Sequence, residues 1–257
     1  MRMITKYASL KDAVVVVTGG ATGIGEAITR NFIAQGAKVA IVDIARQSGT
    51  DLVEELNGET GREDRAQYVH LDLTQAENIA PAFEKINATL GPITTLVNNA
   101  ANNTRHDIDS VTPDYWRSRM AVNLDHQFFC AQAALASMKA AGKGSIINMG
   151  SSSWHIGMGG MPAYVTAKAA IEGLTRGMAR DLGPSGIRVN CVVPGFIRTT
   201  KQVEHLLTPE FEAKVLANQC LKTLIEPEDV ANIVSFLASD DASMCTNQTY
   251  AIDAGWM

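Results

Sequence analysis

The sequence predicts an α/β protein built as a single doubly wound domain over residues 1–257, with a mainly parallel sheet. Three observations predict it. Short runs rich in Val and Ile recur along the chain without in/out alternation, as strands covered by helices on both faces require. Longer segments with helical spacing separate them, and the joints between are short and punctuated by Gly and Pro. No Pro/Gly/Ser-rich linker, charge block, internal repeat or low-complexity segment divides the chain.

The first strand is Ala13–Thr18 (AVVVVT), which opens into a glycine-rich turn and the helix Gly25–Gln35, stopped at Gly36. Lys38–Val42 (KVAIV) is the second strand. Thr94–Asn98 (TTLVN) is entered through Gly91-Pro92, and the helix Gln127–Ala141 leads on to Ser145–Met149 (SIINM). Ala163–Leu182 reads as a long helix ending at Gly183-Pro184, and Arg188–Val193 (RVNCVV) as the strand behind it, closed by Pro194-Gly195. Pro227–Ser239 is a last helix and Gln248–Ile252 a last strand, ahead of Asp253-Ala254-Gly255-Trp256-Met257.

Lys and Arg number 22 against 27 Asp and Glu, a net charge of −5; hydrophobic residues make up 46% and charged ones 19%. That balance belongs to a packed protein, and a mildly acidic chain without basic clusters argues against nucleic acid as a partner. Cys130, Cys191, Cys220 and Cys245 stand far apart with no CxxC pair. They read as reduced thiols packed as small hydrophobes, not as a disulfide frame or a zinc site. No run approaches the ~18 apolar residues of a membrane span, and the segment 1–12 lacks the apolar stretch of a secretion signal. A cytoplasmic protein with no membrane partner is expected.

The first strand runs directly into Thr18-Gly19-Gly20-Ala21-Thr22-Gly23-Ile24-Gly25. A glycine turn between strand and helix lets the backbone approach a pyrophosphate, and the helix N-terminus offers N–H donors and partial positive charge. Such a turn alone is weak evidence, since any turn that needs positive φ uses glycine. The second strand strengthens it by ending at Asp43. Its carboxylate is suited to accept hydrogen bonds from both hydroxyls of an adenosine ribose and to repel a 2′-phosphate. NAD is the expected cofactor. NADP is the weaker alternative, because nearby Arg46 offsets part of that repulsion.

Tyr164 and Lys168 lie four positions apart in a helical segment and so share one face. A tyrosine of pKa ~10 is a poor base near neutrality. Bringing it to about 8 takes roughly 3 kcal/mol of phenolate stabilisation, which an ammonium in a partly dry pocket can supply. Helices produce such pairs often. Upstream, however, the strand Ser145–Met149 ends in Gly150-Ser151-Ser152-Ser153, and a hydroxyl there sits where open α/β sheets bind ligands.

Thr18-Gly19-x-x-x-Gly23-Ile24-Gly25, Asn98-Asn99-Ala100-Ala101, Asn123, Ser151, Tyr164-x-x-x-Lys168 and Pro194-Gly195 stand in the order and spacing of the short-chain dehydrogenase/reductase family. The chain resembles that family over essentially its whole length. The resemblance implies a Rossmann-type domain with a seven-stranded sheet and an NAD(P)-dependent oxidoreductase acting on CH–OH groups. It implies that Tyr164 is the base in alcohol oxidation, that Lys168 lowers its pKa and binds the nicotinamide ribose, and that Ser151 holds the reacting oxygen. Asn123 would anchor a water linking Lys168 to solvent. For the cofactor the resemblance implies Gly19, Thr22, Gly23, Ile24 and Gly25 at the phosphates, with Asp43 and Ile44 at the adenosine ribose. Asp72 and Leu73 would flank the adenine, Asn99 and Ala100 the adenosine side, and Pro194, Ile197 and Thr199 the nicotinamide. No metal is required. Ala101 departs from the family's usual Gly, adding a methyl near the cofactor without removing a catalytic group.

Substrate signals are thinner. Ser153-Trp154-His155-Ile156-Gly157 is polar and aromatic for a pocket wall, and with Asn102, Asn103, Arg105, His106 and Gln202 it would present hydrogen-bond partners to a polyhydroxylated ligand. Asn103, Ser151, Ser153, His155, Tyr164 and Gln202 are the candidate substrate contacts. Ser153-Trp154-His155, Cys220-Leu221-Lys222 and the ending Ile252-Asp253-Ala254-Gly255-Trp256 are similar to bacterial aldose 1-dehydrogenases of the family, which oxidise an anomeric hydroxyl to a lactone. A polyol or 3-oxoacyl-thioester oxidoreductase, and a catalytically silent nucleotide-binding regulator, are the alternatives. The alanine-rich helices Gln127–Ala141 and Ala163–Leu182 allow close helix approach, and the resemblance implies that they pair across a two-fold axis in a homotetramer.

Overall fold

The computed structural model describes residues 5–205 and 207–257. Residues 1–4, part of the segment read as lacking a secretion signal, and residue 206 lie outside it. The chain runs β1 (Val14–Thr18), α1 (Gly23–Ala34), β2 (Lys38–Asp43), α2 (Arg46–Thr60), β3 (Ala66–His70), α3 (Ile79–Leu90), β4 (Ile93–Asn98) and α4 (Pro113–Met120). It continues through α5 (His126–Ala141), β5 (Gly144–Met149), α6 (Pro162–Leu182), β6 (Ile187–Pro194), α7 (Thr200–His205), α8 (Pro209–Asn218), α9 (Pro227–Ala238) and β7 (Thr249–Ile252).

The seven strands form one sheet in the order β3-β2-β1-β4-β5-β6-β7, and every ladder is parallel. Alternation along each strand divides the core between the two faces. Val15 and Val17 of β1 pack with Ile28 and Phe32 of α1 and Val230 and Val234 of α9. Val14 and Val16 face the other way, among Phe83 and Ile86 of α3, Ala131 and Ala134 of α5, and Met178 of α6. Both faces are apolar, which is why these strands read as unbroken Val/Ile runs.

Elements with a weaker apolar pattern escaped the sequence reading. β3 (AQYVH) is an edge strand, mostly half-buried, so it has no apolar run to show. α2 buries only Gly49, Leu52 and Leu56. It approaches β3 so closely that a Cβ on Gly49 would stand 2.2 Å from the Tyr68 ring. The four cysteines are free; Cys130 and Cys191 are buried as small hydrophobes, but Cys220 is exposed, its thiol directed at Gly255 O. Among the described residues no helix is long and apolar enough to cross a membrane.

Strand order reverses between β1 and β4, and the chain leaves the sheet on opposite sides of that junction. The carboxyl ends of β1, β4, β5 and β6 therefore surround a crevice that no crossover fills.

Candidate active site

A cleft of about 850 Å³ lies at those strand ends. One part of it is the turn from β1 to α1. A Cβ on Gly25 would lie 1.8 Å from Gly19 O, and one on Gly19, at φ +61°, 2.8 Å from Ala100 Cα. Asn99 Nδ2 donates to Thr18 O and Gly19 O at 3.1 and 2.9 Å, while Thr18 Oγ1 accepts the N–H groups of Asn99 and Ala100. These bonds hold the turn against the end of β4. Thr22, at the N-cap of α1, makes no side-chain cap bond. The first-turn N–H groups and the positive helix end are left to face the cleft, which fits an anion such as a pyrophosphate.

Asp43, at the end of β2, is 9% exposed. Its Oδ2 accepts from Ala21 N at 3.0 Å and its Oδ1 from Ala45 N at 2.9 Å. A carboxylate offers about four acceptor sites, so two remain for a ribose diol. Ile44, Asp72 and Leu73 line the same cleft, as do Thr22, Gly23 and Ile24. Arg46 is exposed and does not line it. Ala100, Ala101, Pro194, Ile197 and Thr199 line it too, so every residue expected at the dinucleotide reaches one continuous surface.

Ser151, Tyr164 and Lys168 converge on the same cleft. Pro162 at the first turn of α6 starts that helix, and 3.6-residue periodicity puts Tyr164 below Lys168 on one face. Lys168 Nζ stands 5.6 Å from the centroid of the Tyr164 ring and donates to Met149 O at 2.7 Å. Lys168 is 1% exposed, and burial brings its ammonium down to about 8. Burial also pushes the Tyr164 phenol up from its ordinary value, with hydrogen bonding from Ser151 acting against it. Desolvation dominates and Ser151 is the group that opposes it; the lowering expected from Lys168 does not appear, and its ammonium donates to Met149 O.

Asn123 does not line the cleft. It sits fully buried in a π-helical turn, Ala121–Asp125, between α4 and α5. Its Oδ1 accepts from Asn102 N at 2.8 Å, and its Nδ2 donates to Asn102 O and Arg119 O at 3.1 and 2.9 Å. The side chain therefore fixes the loop after β4 and makes no hydrogen bond to Lys168. Next to it, His126 is wholly buried, and desolvation together with the Lys168 charge holds it neutral, down to about 3.

Of the candidate substrate contacts, Asn103, Ser153 and Gln202 line the cleft with Ser151 and Tyr164. Ser153 Oγ and Gln202 Oε1 are buried with no hydrogen-bond partner among the described residues. His155 does not line the cleft. It stacks on Trp154 at 3.8 Å between centroids, and its Nε2 meets Glu172 Oε1 at 2.7 Å. Trp154 Nε1 donates to the same oxygen at 2.9 Å. Glu172 was not anticipated, although it follows Lys168 by four residues and so belongs to the same face of α6. It clamps the segment that carries Ser153 and Ile156 onto the helix that carries Tyr164.

Loss of a hydrogen bond to a charged group costs ~1.5–3 kcal/mol. Glu172→Ala is accordingly expected to raise KM for the substrate at least about threefold, with kcat held within about twofold. Glu172→Gln, which keeps an acceptor oxygen, is expected to recover most of the loss. Steady-state kinetics checks this; an unchanged KM in Glu172→Ala would show that the segment stands without the clamp.

Comparison with known proteins agrees with this geometry. Residues 19–257 match the family described as "Enoyl-(Acyl carrier protein) reductase", a group of short-chain dehydrogenases. The chain is 50% identical over 250 residues to D-xylose 1-dehydrogenase of Caulobacter vibrioides (strain NA1000 / CB15N), covering 97% of this chain and 98% of that one. It is 41% identical over 251 residues to "Probable galactose dehydrogenase GalD" of Rhizobium meliloti, covering 98% and 97%. A crystal structure described as a short-chain alcohol dehydrogenase from Sinorhizobium meliloti 1021 superposes with a TM-score of 0.90 at 28% identity, over 97% of this chain and 98% of that chain. The chain belongs to the short-chain dehydrogenase/reductase family.

Proposed function

We propose that the protein is an NAD-dependent aldose 1-dehydrogenase, which oxidises the anomeric hydroxyl of a ring-form sugar to a lactone. The observation that carries it is the convergence of Ser151, Tyr164 and Lys168 on a cleft that also holds a dinucleotide cradle. Similarity to a D-xylose 1-dehydrogenase and to a relative named for galactose supports the sugar. So do the unpartnered Ser153 Oγ and Gln202 Oε1, which a polyhydroxylated ligand would satisfy.

When bound, NAD supplies the acceptor for the hydride that leaves the anomeric carbon. The chain's own residues handle position and proton. Ser151 hydrogen-bonds the reacting oxygen, and Tyr164 takes its proton as the carbonyl of the lactone forms. Lys168 favours that transfer as a cation 5.6 Å from the Tyr164 ring, where it stabilises negative charge only as that charge develops in the desolvated site. Asn123 acts as a positioning residue, holding Asn102 and the loop that follows β4. Asp43 binds the adenosine ribose and disfavours a 2′-phosphate, which makes NAD the preferred cofactor.

We also infer a homotetramer with α5 and α6 at one of its contacts. Phe128 and Phe129 of α5 are 43% and 37% exposed and meet edge to face at 5.4 Å. A Cβ on Gly173 or Gly177 of α6 would find nothing within 4 Å, so that helix presents a flat surface. Bare aromatics beside small residues suit a symmetric helix contact.

Four outcomes are expected. Tyr164→Phe should lower kcat by at least about a hundredfold while leaving the NAD dissociation constant within about twofold. Aldoses should outperform polyols and acyl thioesters in a turnover panel run on the unmodified protein with NAD and with NADP; a Tyr164→Phe enzyme with most of its activity would overturn the base. Asp43→Ala should weaken NAD and narrow its advantage over NADP, read as the ratio of kcat/KM values. Equal ratios in the unmodified protein would remove Asp43 as the selector. Light scattering at working concentration should give four subunits, and a fully active monomer would refute the assembly.

A further inference from the structure

Three aromatic side chains outside the catalytic set line the cleft and stay half-buried there: Phe196, Phe211 and Trp256. Phe196 follows β6, and its ring meets that of Phe211 on α8 edge to face, centroids 5.2 Å apart at 73°. Trp256 comes from the segment after β7, and that segment is tied down by its own contacts. Asp253, 6% exposed, accepts the N–H groups of Gly255, Trp256 and Met257 at 2.9, 3.1 and 2.7 Å. Ala254 O accepts from Cys220 N and Leu221 N at 2.9 and 3.1 Å. A carboxylate that takes three successive backbone donors fixes the path of the chain through charge-assisted bonds.

These aromatics stand close to the chemistry. Ser152 N donates to Pro194 O at 3.0 Å, which joins the Ser151 segment to the end of β6 just before Phe196. Gly195 N donates to Ile252 O, and a Cβ on Gly195 would lie 2.8 Å from Asp253 Cα, so the same point also seats the segment bearing Trp256. An indole left partly bare on a cleft wall, on a backbone fixed at that point, forgoes burial that hydrophobicity would otherwise favour. The cleft is thus amphipathic: the unpartnered oxygens of Ser153 and Gln202 call for hydroxyl groups, and the aromatics call for a flat apolar surface. A pyranose has both, hydroxyls around its edge and C–H bonds on its faces.

We propose that Trp256, which lines the same cleft as Phe196 and Phe211, is a stacking platform for the C–H face of a pyranose ring, and that Asp253 is the residue that positions it. The proposal rests on the sugar reading above and adds a specificity-determining surface built from the segment Asp253–Met257.

The test compares the unmodified protein with Trp256→Ala, Trp256→Phe and Asp253→Asn in aldose turnover with saturating NAD, alongside a direct NAD titration of each. Trp256→Ala should raise KM for the aldose about tenfold, the scale of one aromatic contact, with kcat within about threefold and NAD affinity unchanged. Trp256→Phe should recover most of that loss, because a ring face remains. Asp253→Asn should raise KM in the same direction. As a readout independent of turnover, sugar should perturb tryptophan emission in the unmodified protein and not in Trp256→Phe, which retains Trp116 and Trp154. An unmodified protein that oxidises aldoses while Trp256→Ala keeps its KM would overturn the platform alone. A fall in NAD affinity matching the rise in KM would also overturn it, by placing Trp256 at the cofactor. If the unmodified protein turns over no aldose, the sugar reading fails first and the platform with it.

Discussion

Lys168 Nζ donates to Met149 O, and this one bond joins the helix that carries Tyr164 to the strand that leads into Ser151. An ammonium buried to 1% exposure without a partner would cost several kcal/mol, so the folded chain keeps α6 where that carbonyl can be reached. Gln127 Nε2 points at the same carbonyl from α5, at a longer 3.4 Å. Beneath them Asn98 Nδ2 donates to Asn148 Oδ1 and Gln127 O, and Asn148 Nδ2 to Thr175 Oγ1. Four elements, β4, β5, α5 and α6, are thereby tied together by buried polar groups whose geometry is narrow. Apolar packing alone would tolerate small slides of α6 along the sheet. These bonds do not.

The burial that enforces this register also sets the electrostatic problem of the site. It lowers Lys168 and raises Tyr164, since both charged forms lose solvent. A phenolate is accessible there mainly as the partner of a nearby cation, and Lys168 is placed to be that cation. The titratable groups around them are kept from interfering. His126 is held neutral, and burial pushes the Cys191 thiol up to about 12, so neither adds charge beside the pair near neutrality.

The cleft is chemically divided. In the proposed reading, backbone donors at the start of α1 and the Asp43 carboxylate would address the nucleotide, and hydroxyl and amide groups with three aromatics the sugar. The wall carrying Ser153 depends on a contact at a distance, the Glu172 clamp on Trp154 and His155. His155 meets Glu172 and does not line the cleft, so it braces the wall where its position after Ser151 suggests a substrate contact.

Much of this is legible in the amino-acid sequence. The buried strands show as Val/Ile runs because helices cover both sheet faces, and the cradle shows because only glycine fits where a Cβ would meet Gly19 O at 1.8 Å. Tyr164 and Lys168 are visible as a pair because helical periodicity is local. β3 and α2 were not legible, since an edge strand and its half-exposed helix bury too little to leave an apolar pattern. Asn123, His155 and Trp256 mark the other limit. Whether a polar or aromatic residue lines a cleft, braces its wall or lies behind it depends on partners far away in the chain, such as Asn102, Glu172 and the segment around Cys220. Local spacing determined the elements and the chemistry they carry; long-range contacts, which no local pattern encodes, decided which side chains face the ligand.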